Sequence, residues 1–403
     1  MRILFLSPRL PHPRVLSGHV IVYQRVRRLI ERGHEVTLCC FATEEERDLA
    51  CDLEHRLAGL RLVAPPRDRT ASLARRISGQ AGMVALPRRR RSQAMLRAVG
   101  ELVEQNRYDV VVGEFTEMGV YLYRNPFLSA VRTVLSCHQS PTVASRKRTD
   151  VVGYSLAGLV ERLRHDRLRR FEFSMYRAFD RVLVLTPQER FQLEHYQPDL
   201  RLTVIPCGVD ENYFRPRPST ELADGALYTG FYAHEPNRDA VRWFATHVWP
   251  RIRGIRPDMR WFYVVGPAPP PEFYDLARRD ASIVVTGEVK DVRDYLDRAR
   301  VFVCPVRMGS GMRVKILEAM AHGVPVVSTT LGAEGLPAQP GEHCFVADDP
   351  AVMAGQIRLL LEDPPLRASM IRKARDLVHE RLSWTRSVDL LETTLAEVAR
   401  RRG

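Results

Sequence analysis

The chain alternates short continuous apolar runs with stretches whose apolar residues fall three and four apart, the pattern of buried strands separated by amphipathic helices. Residues 2–7 read as a first strand. A loop through Pro8, Pro11 and Pro13 reaches Ser17, Gly18 and His19. A helix over about Val20–Arg32 follows, with Val22, Val26, Leu29 and Ile30 on one face and Gly33 at its end. Glu35–Phe41 is the next strand. Further strands are expected at Asp109–Gly113, Arg132–Cys137, Arg181–Thr186 and Leu202–Ile205, with a short helix from Pro187. A long helix over Leu156–Phe179 has Leu159, Leu163, Leu168, Phe171 and Met175 as its expected buried stripe.

No periodicity crosses Pro206–Asp210 and the following Arg215-Pro216-Arg217-Pro218-Ser219, so a domain boundary is expected there. The alternation then restarts with strands at Ala226–Thr229, Arg260–Val265, Ser282–Thr286 and Val301–Cys304, and helices at Asp239–Arg253 and Val292–Ala299. A last helix covers about Thr385–Arg401. The pattern predicts an α/β protein of two doubly wound domains facing a central cleft. Their expected limits are 1–206 and 223–380, with a linker at 207–222 and a C-terminal segment, 381–403, packing back across the junction.

Length supports two domains, since 403 residues exceed one ordinary core. A composition of 45 % hydrophobic and 27 % charged residues is globular, and no apolar run approaches the ~20 residues of a membrane-spanning helix. Met1–Pro8 is too soon broken by proline for a signal peptide. The seven cysteines (Cys39, Cys40, Cys51, Cys137, Cys207, Cys304 and Cys344) have no CxxC spacing and read as reduced core thiols of a cytosolic protein. Neither a metal cluster nor a disulfide framework is implied.

A net charge of +13 favours acidic partners in general. Nearly all of it is arginine; the lysines are Lys147, Lys290, Lys315 and Lys373. Arg88-Arg89-Arg90-Arg91 precede a helical stretch with Met95, Val99, Leu102 and Val103 in register, where cations oppose the helix dipole. A solvated face accounts for the run, and so does attraction to anionic lipid at about 1 kcal/mol per charge, a peripheral membrane contact. Interleaved aromatic-basic motifs and zinc spacings are absent, which argues against nucleic acid.

The stretch Pro305–Thr329 carries the most chemistry. Val301–Cys304 feeds a loop with Gly309, Ser310 and Gly311, and Met312, Ile316, Leu317, Met320 and Ala321 then fall on helical spacing up to Gly323. Val324–Ser328 is the next strand. A helix N-terminus after a glycine loop suits an anion, and Arg313 and Lys315 add full charge beside it. Glu318, one turn on, offers a carboxylate to sugar hydroxyls, so the set fits a nucleotide sugar. A plain surface pair of Lys315 and Glu318, with the glycines merely turning the chain, accounts for the same residues. Gly18 likewise reads as a phosphate contact or a plain helix entry, and His138, at a strand's carboxyl end, as a ligand contact or a structural histidine.

The ordered set of motifs resembles the retaining glycosyltransferases of family 4. It comprises Ser17-Gly18 followed by Arg32-Gly33-His34-Glu35-Val36-Thr37, His138 after a strand, Val204–Asp210, Tyr228-Thr229-Gly230 with Pro236-Asn237, Val284–Val289 with Asp291-Val292, Leu317–Ala321 with Gly323–Val327, and Trp384. The resemblance covers essentially the whole chain. It implies the GT-B fold of two Rossmann-like domains, a UDP- or GDP-sugar donor, a glycan, lipid-linked or small-molecule acceptor, retention by same-face attack, no required metal, and a role in bacterial polysaccharide or glycoconjugate synthesis. Glu318 matches the second glutamate of the family's Glu-x7-Glu motif, which binds the nucleotide ribose. Ser310 stands where the first would be, and the usual Arg and Lys after Gly230 are missing. This looks like the branch with a G-S-G-x-R-x-K loop, in which Arg313 and Lys315 supply the diphosphate charge.

The resemblance thus assigns catalysis to His138, Arg313, Lys315 and Glu318. It assigns donor binding to Gly18, Gly230, Asn237, Gly309, Ser310, Gly311, Met312 and Glu318. A nucleotide-sugar epimerase on the same fold and a non-catalytic partner protein that retains it are the alternatives.

Overall fold

The computed structural model describes residues 1–12, 18–43, 46, 51–66, 91–128, 130–145, 156–217, 223–309 and 311–400. The chain divides into two compact units, Met1–Pro206 together with Val388–Gly403, and Cys207–Ser387.

The first unit is built on a parallel sheet of β1 (Arg2–Ser7), β2 (Glu35–Phe41), β3 (Gly59–Val63), β4 (Val110–Glu114), β5 (Arg132–Cys137), β6 (Arg181–Val184) and β7 (Leu202–Val204). The spatial order is β3-β2-β1-β4-β5-β6-β7. At the centre Phe5 pairs with Leu38 on one side and Val112 on the other. Successive side chains enter opposite cores. Ile3 and Phe5 pack with Val22, Val26 and Leu29 of the helix Gly18–Glu31, while Leu4 and Leu6 pack with Met95, Phe173 and Met175. A strand covered on both faces must be apolar at every position, which is why β1 reads as a continuous run.

Val388, Leu391, Leu395 and Val398 of the last helix, Trp384–Arg400, join the core of Ile3 and Phe5. Arg32 fastens that segment through Asp389 and Glu392, both at 2.6 Å, and His34 through Glu392 at 2.8 Å.

The second unit repeats the plan with β8 (Gly225–Thr229), β9 (Trp261–Val265), β10 (Ile283–Gly287), β11 (Ala299–Cys304), β12 (Val326–Ser328) and β13 (Phe345–Val346). The order is β10-β9-β8-β11-β12-β13, again all parallel. In each sheet the winding reverses beside the first strand, between β1 and β4 and between β8 and β11. The carboxyl ends of such strand pairs splay their loops apart, and ligands bind in the crevice there.

Several elements differ from expectation. The helix expected at Asp239–Arg253 is three pieces, Glu235–Trp243, a π turn Phe244–Val248, and Trp249–Ile255. Pro250 has no N–H to donate back, and the wider turn just before it absorbs the mismatch. The expected helix Val292–Ala299 shrinks to Arg293–Leu296, because Ala299 already begins β11. The helix after the glycine loop starts at Val314, not Met312, with Arg313 as its N-cap. Leu163 is 54 % exposed, a correction to the expected stripe of Leu156–Tyr176. Among the side chains described in this helix, burial falls in the last turns, at Glu172, Phe173, Met175 and Tyr176, and the Leu159 side chain lies outside the described residues.

Helices at Thr116–Leu122, Pro271–Arg279, Pro350–Glu362 and Pro364–Arg381, and the edge strand β3, were not anticipated. Cys39, Cys40, Cys137, Cys207, Cys304 and Cys344 are buried free thiols. Among the described residues no helix is long and apolar enough to cross a membrane.

Candidate functional site

In the second unit the switch point lies between the ends of β8 and β11. The loop after β11 turns through Gly309 (φ 99°) and Gly311 (φ 92°), left-handed values that side-chain-bearing residues avoid. Ser310, between them, lies outside the described residues. Arg307 donates to both oxygens of Asp239, at 3.1 and 2.7 Å, and so fastens the loop to the helix Glu235–Trp243. Gly309 is seated against Pro236, and a Cβ built on it would lie 3.4 Å from Arg313 Nη2.

Lys315, in the first turn of Val314–His322, reaches back to β8. Its ammonium donates to Thr229 O at 2.5 Å, Asn237 Oδ1 at 3.1 Å and Tyr228 Oη at 3.2 Å, and lies 4.3 Å from the centre of the Tyr228 ring. Tyr228 donates in turn to Asn237 Oδ1 at 2.7 Å, and Asn237 Nδ2 to Phe231 O at 2.8 Å. The three ammonium protons are therefore matched by three acceptors within the unit. This departs from the expectation of a direct phosphate donor. It equally departs from a surface pair with Glu318. Burial, with Arg313 adding to it, lowers the Lys315 pKa to about 8.

Glu318 is half-buried, and its carboxylate accepts no hydrogen bond from the described residues. Burial raises its pKa to about 7 against the opposing pull of Lys315. Gly230 donates its N–H to Val265 O at 3.0 Å, and a Cβ on the facing Gly266 would fall 1.9 Å from Gly230 O. Both glycines thus permit a close approach of two backbones, and Gly230 and Asn237 spend these groups inside the unit. Met312 packs half-buried against the core.

The second constellation lies in the first unit. His138 follows β5, and its Nε2 lies 2.8 Å from Glu114 Oε2 at the end of β4. Glu114 is fully buried and accepts from Arg25 Nη1 at 3.0 and 3.2 Å; Arg25, also fully buried, donates from the same nitrogen to Ser136 Oγ at 2.8 Å. Burial opposes ionisation of Glu114, but Arg25 and the hydrogen bond from His138 outweigh it and hold its pKa at about 2. The His138 ring stacks on Phe115 at 3.9 Å, with 18° between the planes. Phe115 has φ 68° and ψ 144°, a conformation that costs a non-glycine residue about 1–3 kcal/mol.

The chain after His138 is pinned from below. Glu172 accepts from Ser140 Oγ at 2.6 Å and from Thr142 N at 2.8 Å, and burial raises its pKa. Gly18 is the first residue of the helix Gly18–Glu31; Ser17 before it and Arg88–Arg90 lie outside the described residues.

Arg25, Glu114, Phe115, Tyr228 and the Arg307–Asp239 pair were missed by sequence reasoning. One signal was available. Arg25 falls three residues after Val22, on the stripe it shares with Val26 and Leu29, where an arginine is out of place unless paired. Among the described residues no group of three or more His, Cys, Asp or Glu stands ready to hold a metal ion.

Comparison with known proteins adds to this geometry. The family described as Glycosyltransferase Family 4 matches residues 18–213, and that described as Glycosyl transferases group 1 matches residues 223–363. Phosphatidyl-myo-inositol mannosyltransferase of Mycolicibacterium smegmatis is 26 % identical over 290 residues, 68 % of this chain and 69 % of that protein. An uncharacterised protein of the cps region of Klebsiella pneumoniae is 24 % identical over 138 residues; the match spans 32 % of this chain and only 35 % of that protein's length. Among solved structures, HepE of Anabaena in complex with UDP matches with a TM-score of 0.71 at 16 % identity, covering 98 % of this chain and 100 % of that one. One family match falls on each unit, and each unit carries a Rossmann-like parallel sheet: the chain belongs to the GT-B glycosyltransferases of the family 4 type.

Proposed function

We propose that the protein transfers a glycosyl unit from a nucleotide diphosphate sugar, UDP- or GDP-linked, to a hydroxyl of a glycan or lipid-linked acceptor, with retention of anomeric configuration. The observation that carries the reading is Glu318. It is a half-buried carboxylate without a hydrogen-bond donor among the described residues, one turn into a helix that opens at the switch point of the second sheet. A ribose diol supplies the donors such a group lacks. The UDP and UDP-glucose bound in HepE structures support a nucleotide-sugar donor.

The chemistry follows from charge. Breaking the glycosidic bond builds negative charge on the leaving diphosphate and positive charge on the sugar. Arg313 and the first N–H groups of Val314–His322, with the backbone of Gly309 and Gly311, meet the first of these. Lys315 adds its charge while keeping its own hydrogen bonds to β8 and Asn237, so its contribution is to the field and to the shape of the loop. Such fixed charge stabilises the transition state more than the ground state. Gly230, Asn237 and Met312 shape this donor side. His138 and Gly18 are the first unit's contributors to the reaction, carried by resemblance.

A role in polysaccharide or glycoconjugate synthesis is supported by the cps-region relative and the phosphatidyl-myo-inositol mannosyltransferase. Arg88–Arg91 would contribute electrostatic attraction to anionic lipid, a reading supported by charge alone. Equal binding of wild type and an Arg88–Arg91 alanine variant to anionic liposomes removes it.

Incubation with UDP- and GDP-sugars and candidate acceptors, with the product's anomeric configuration read by NMR, tests the function. A glycoside of retained configuration is expected. An isomerised sugar would replace the reading by an epimerase, an inverted product would remove retention, and nucleotide binding without turnover would favour a non-catalytic partner.

A further inference from the structure

We infer that His138 works as a neutral hydrogen-bond acceptor for a sugar hydroxyl, and that Glu114 and Arg25 are the positioning residues that keep it in that state. The inference rests on the proposed function only for the identity of the hydroxyl.

Arg25 anchors the cluster. Its Nη1 donates to both oxygens of Glu114, and both side chains are 0 % exposed, so the carboxylate stays ionised. An ionised carboxylate can only accept. The 2.8 Å contact between Glu114 Oε2 and His138 Nε2 therefore requires the proton on Nε2. In a neutral imidazole the other nitrogen is then an acceptor. That atom, Nδ1, is buried without a hydrogen-bond partner among the described residues, in a side chain only 7 % exposed.

A second proton on the ring is disfavoured on balance. Burial, with Phe115 stacked on one face, and the Arg25 charge oppose it and outweigh the pull of the Glu114 carboxylate, so the His138 pKa is lowered. Nearby His19 is itself held neutral by burial, with its pKa lowered to about 4. What remains is a fixed lone pair at the carboxyl end of β5, next to the switch point between β1 and β4. Its complement is an O–H donor. A histidine held this way does not protonate a leaving group; it orients a hydroxyl and discriminates against sugars that lack one.

The test is nitrogen-15 NMR of histidine-labelled full-length protein, with the His138 signals assigned by their loss in His138→Asn. Wild type is expected to show a single neutral Nε2–H tautomer between pH 6 and 8, a window set about the ordinary histidine value of ~6.5. In E114Q, Arg25 attracts the glutamine oxygen and turns its NH2 toward Nε2, so the proton moves to Nδ1. A purely structural role for Glu114 would not move the tautomer.

With UDP-glucose as probe, E114Q should lower turnover at least about tenfold with UDP affinity unchanged, as a wrong tautomer does behind a catalytic carboxylate. An Nδ1–H tautomer or an imidazolium in wild type overturns the inference, and so does an unchanged tautomer in E114Q. The wild-type spectrum decides the tautomer even if E114Q does not fold. An absence of UDP-glucose turnover in wild type would count against that donor and leave the tautomer result standing.

Discussion

The Lys315 ammonium donates to Asn237 Oδ1 at 3.1 Å and to Thr229 O at 2.5 Å, tying the start of the helix Val314–His322 to the loop that leaves β8. The two sides of the second sheet's switch point are thereby held at a fixed spacing by one side chain. Lys315→Met keeps the stem and removes all three donors. It should destabilise the protein by about 1–3 kcal/mol, the range for lost charge-assisted hydrogen bonds, and weaken nucleotide binding at least tenfold. Urea unfolding and calorimetric titration with nucleoside diphosphates read the two effects; unchanged affinity would remove Lys315 from the site.

Glu318 and Lys315 give opposite limbs to the pH dependence. Glu318 titrates near 7 in the folded protein against an ordinary 4.5, so the fold binds the extra proton between those values and stability falls as pH rises through them. Lys315 titrates near 8 against 10.5, so the unfolded chain binds more protons in that interval and this group's contribution to stability rises with pH there. With the carboxylate ionised for the proposed ribose contact and the ammonium charged, nucleotide affinity is expected to peak between about 7 and 8. Glu318→Gln should be more stable than wild type at pH 8 by about 2 kcal/mol, a figure reduced from the full shift because water reaches the half-buried group. Unfolding curves at pH 5 and pH 8 check the sign, since the gain should shrink at the lower pH.

Arg25→Met leaves Glu114 buried without its cation. A loss of about 3–5 kcal/mol is expected, measured as a lower urea midpoint with an unchanged slope. The double variant with Glu114→Leu should recover a large part of that loss.

Asp239→Asn releases Arg307 and with it the loop that carries Gly309. Arg307 is largely exposed, so stability should change by less than about 1 kcal/mol. Nucleotide affinity should nonetheless fall several-fold, because the loop is no longer held over Pro236. A variant with full affinity would show that the glycine turns hold the loop unaided.

The strands were legible because a doubly covered sheet imposes apolar residues at each position; Ile3 to Leu6 and Val301 to Cys304 announce themselves. The helix at Pro187 was legible, but Pro271–Arg279 and Pro364–Arg381 were hidden because proline there reads as a breaker when it is in fact an N-terminal residue. For the site, the glycine loop and Glu318 could be found from spacing, since turn geometry and helix polarity are local. Arg25, Glu114 and His138 could not be joined from sequence, because the contact depends on which strands neighbour one another in the sheet. The destination of Lys315 was missed for the same reason: Thr229, Tyr228 and Asn237 lie far along the chain and meet it only through the pairing of β8 with β11.

The proposed donor chemistry depends on nucleotide binding by the second unit through Glu318. The most direct measurement is a thermal-shift series with UDP, GDP, ADP, dTDP and CMP on wild type and Glu318→Ala. A nucleotide at ~100 times its dissociation constant should add about 2.7 kcal/mol of stability, a clear rise in melting temperature. One nucleotide is expected to raise the melting temperature of wild type and to leave that of the variant where it was. No shift with any nucleotide, or an equal shift in both proteins, would contradict it.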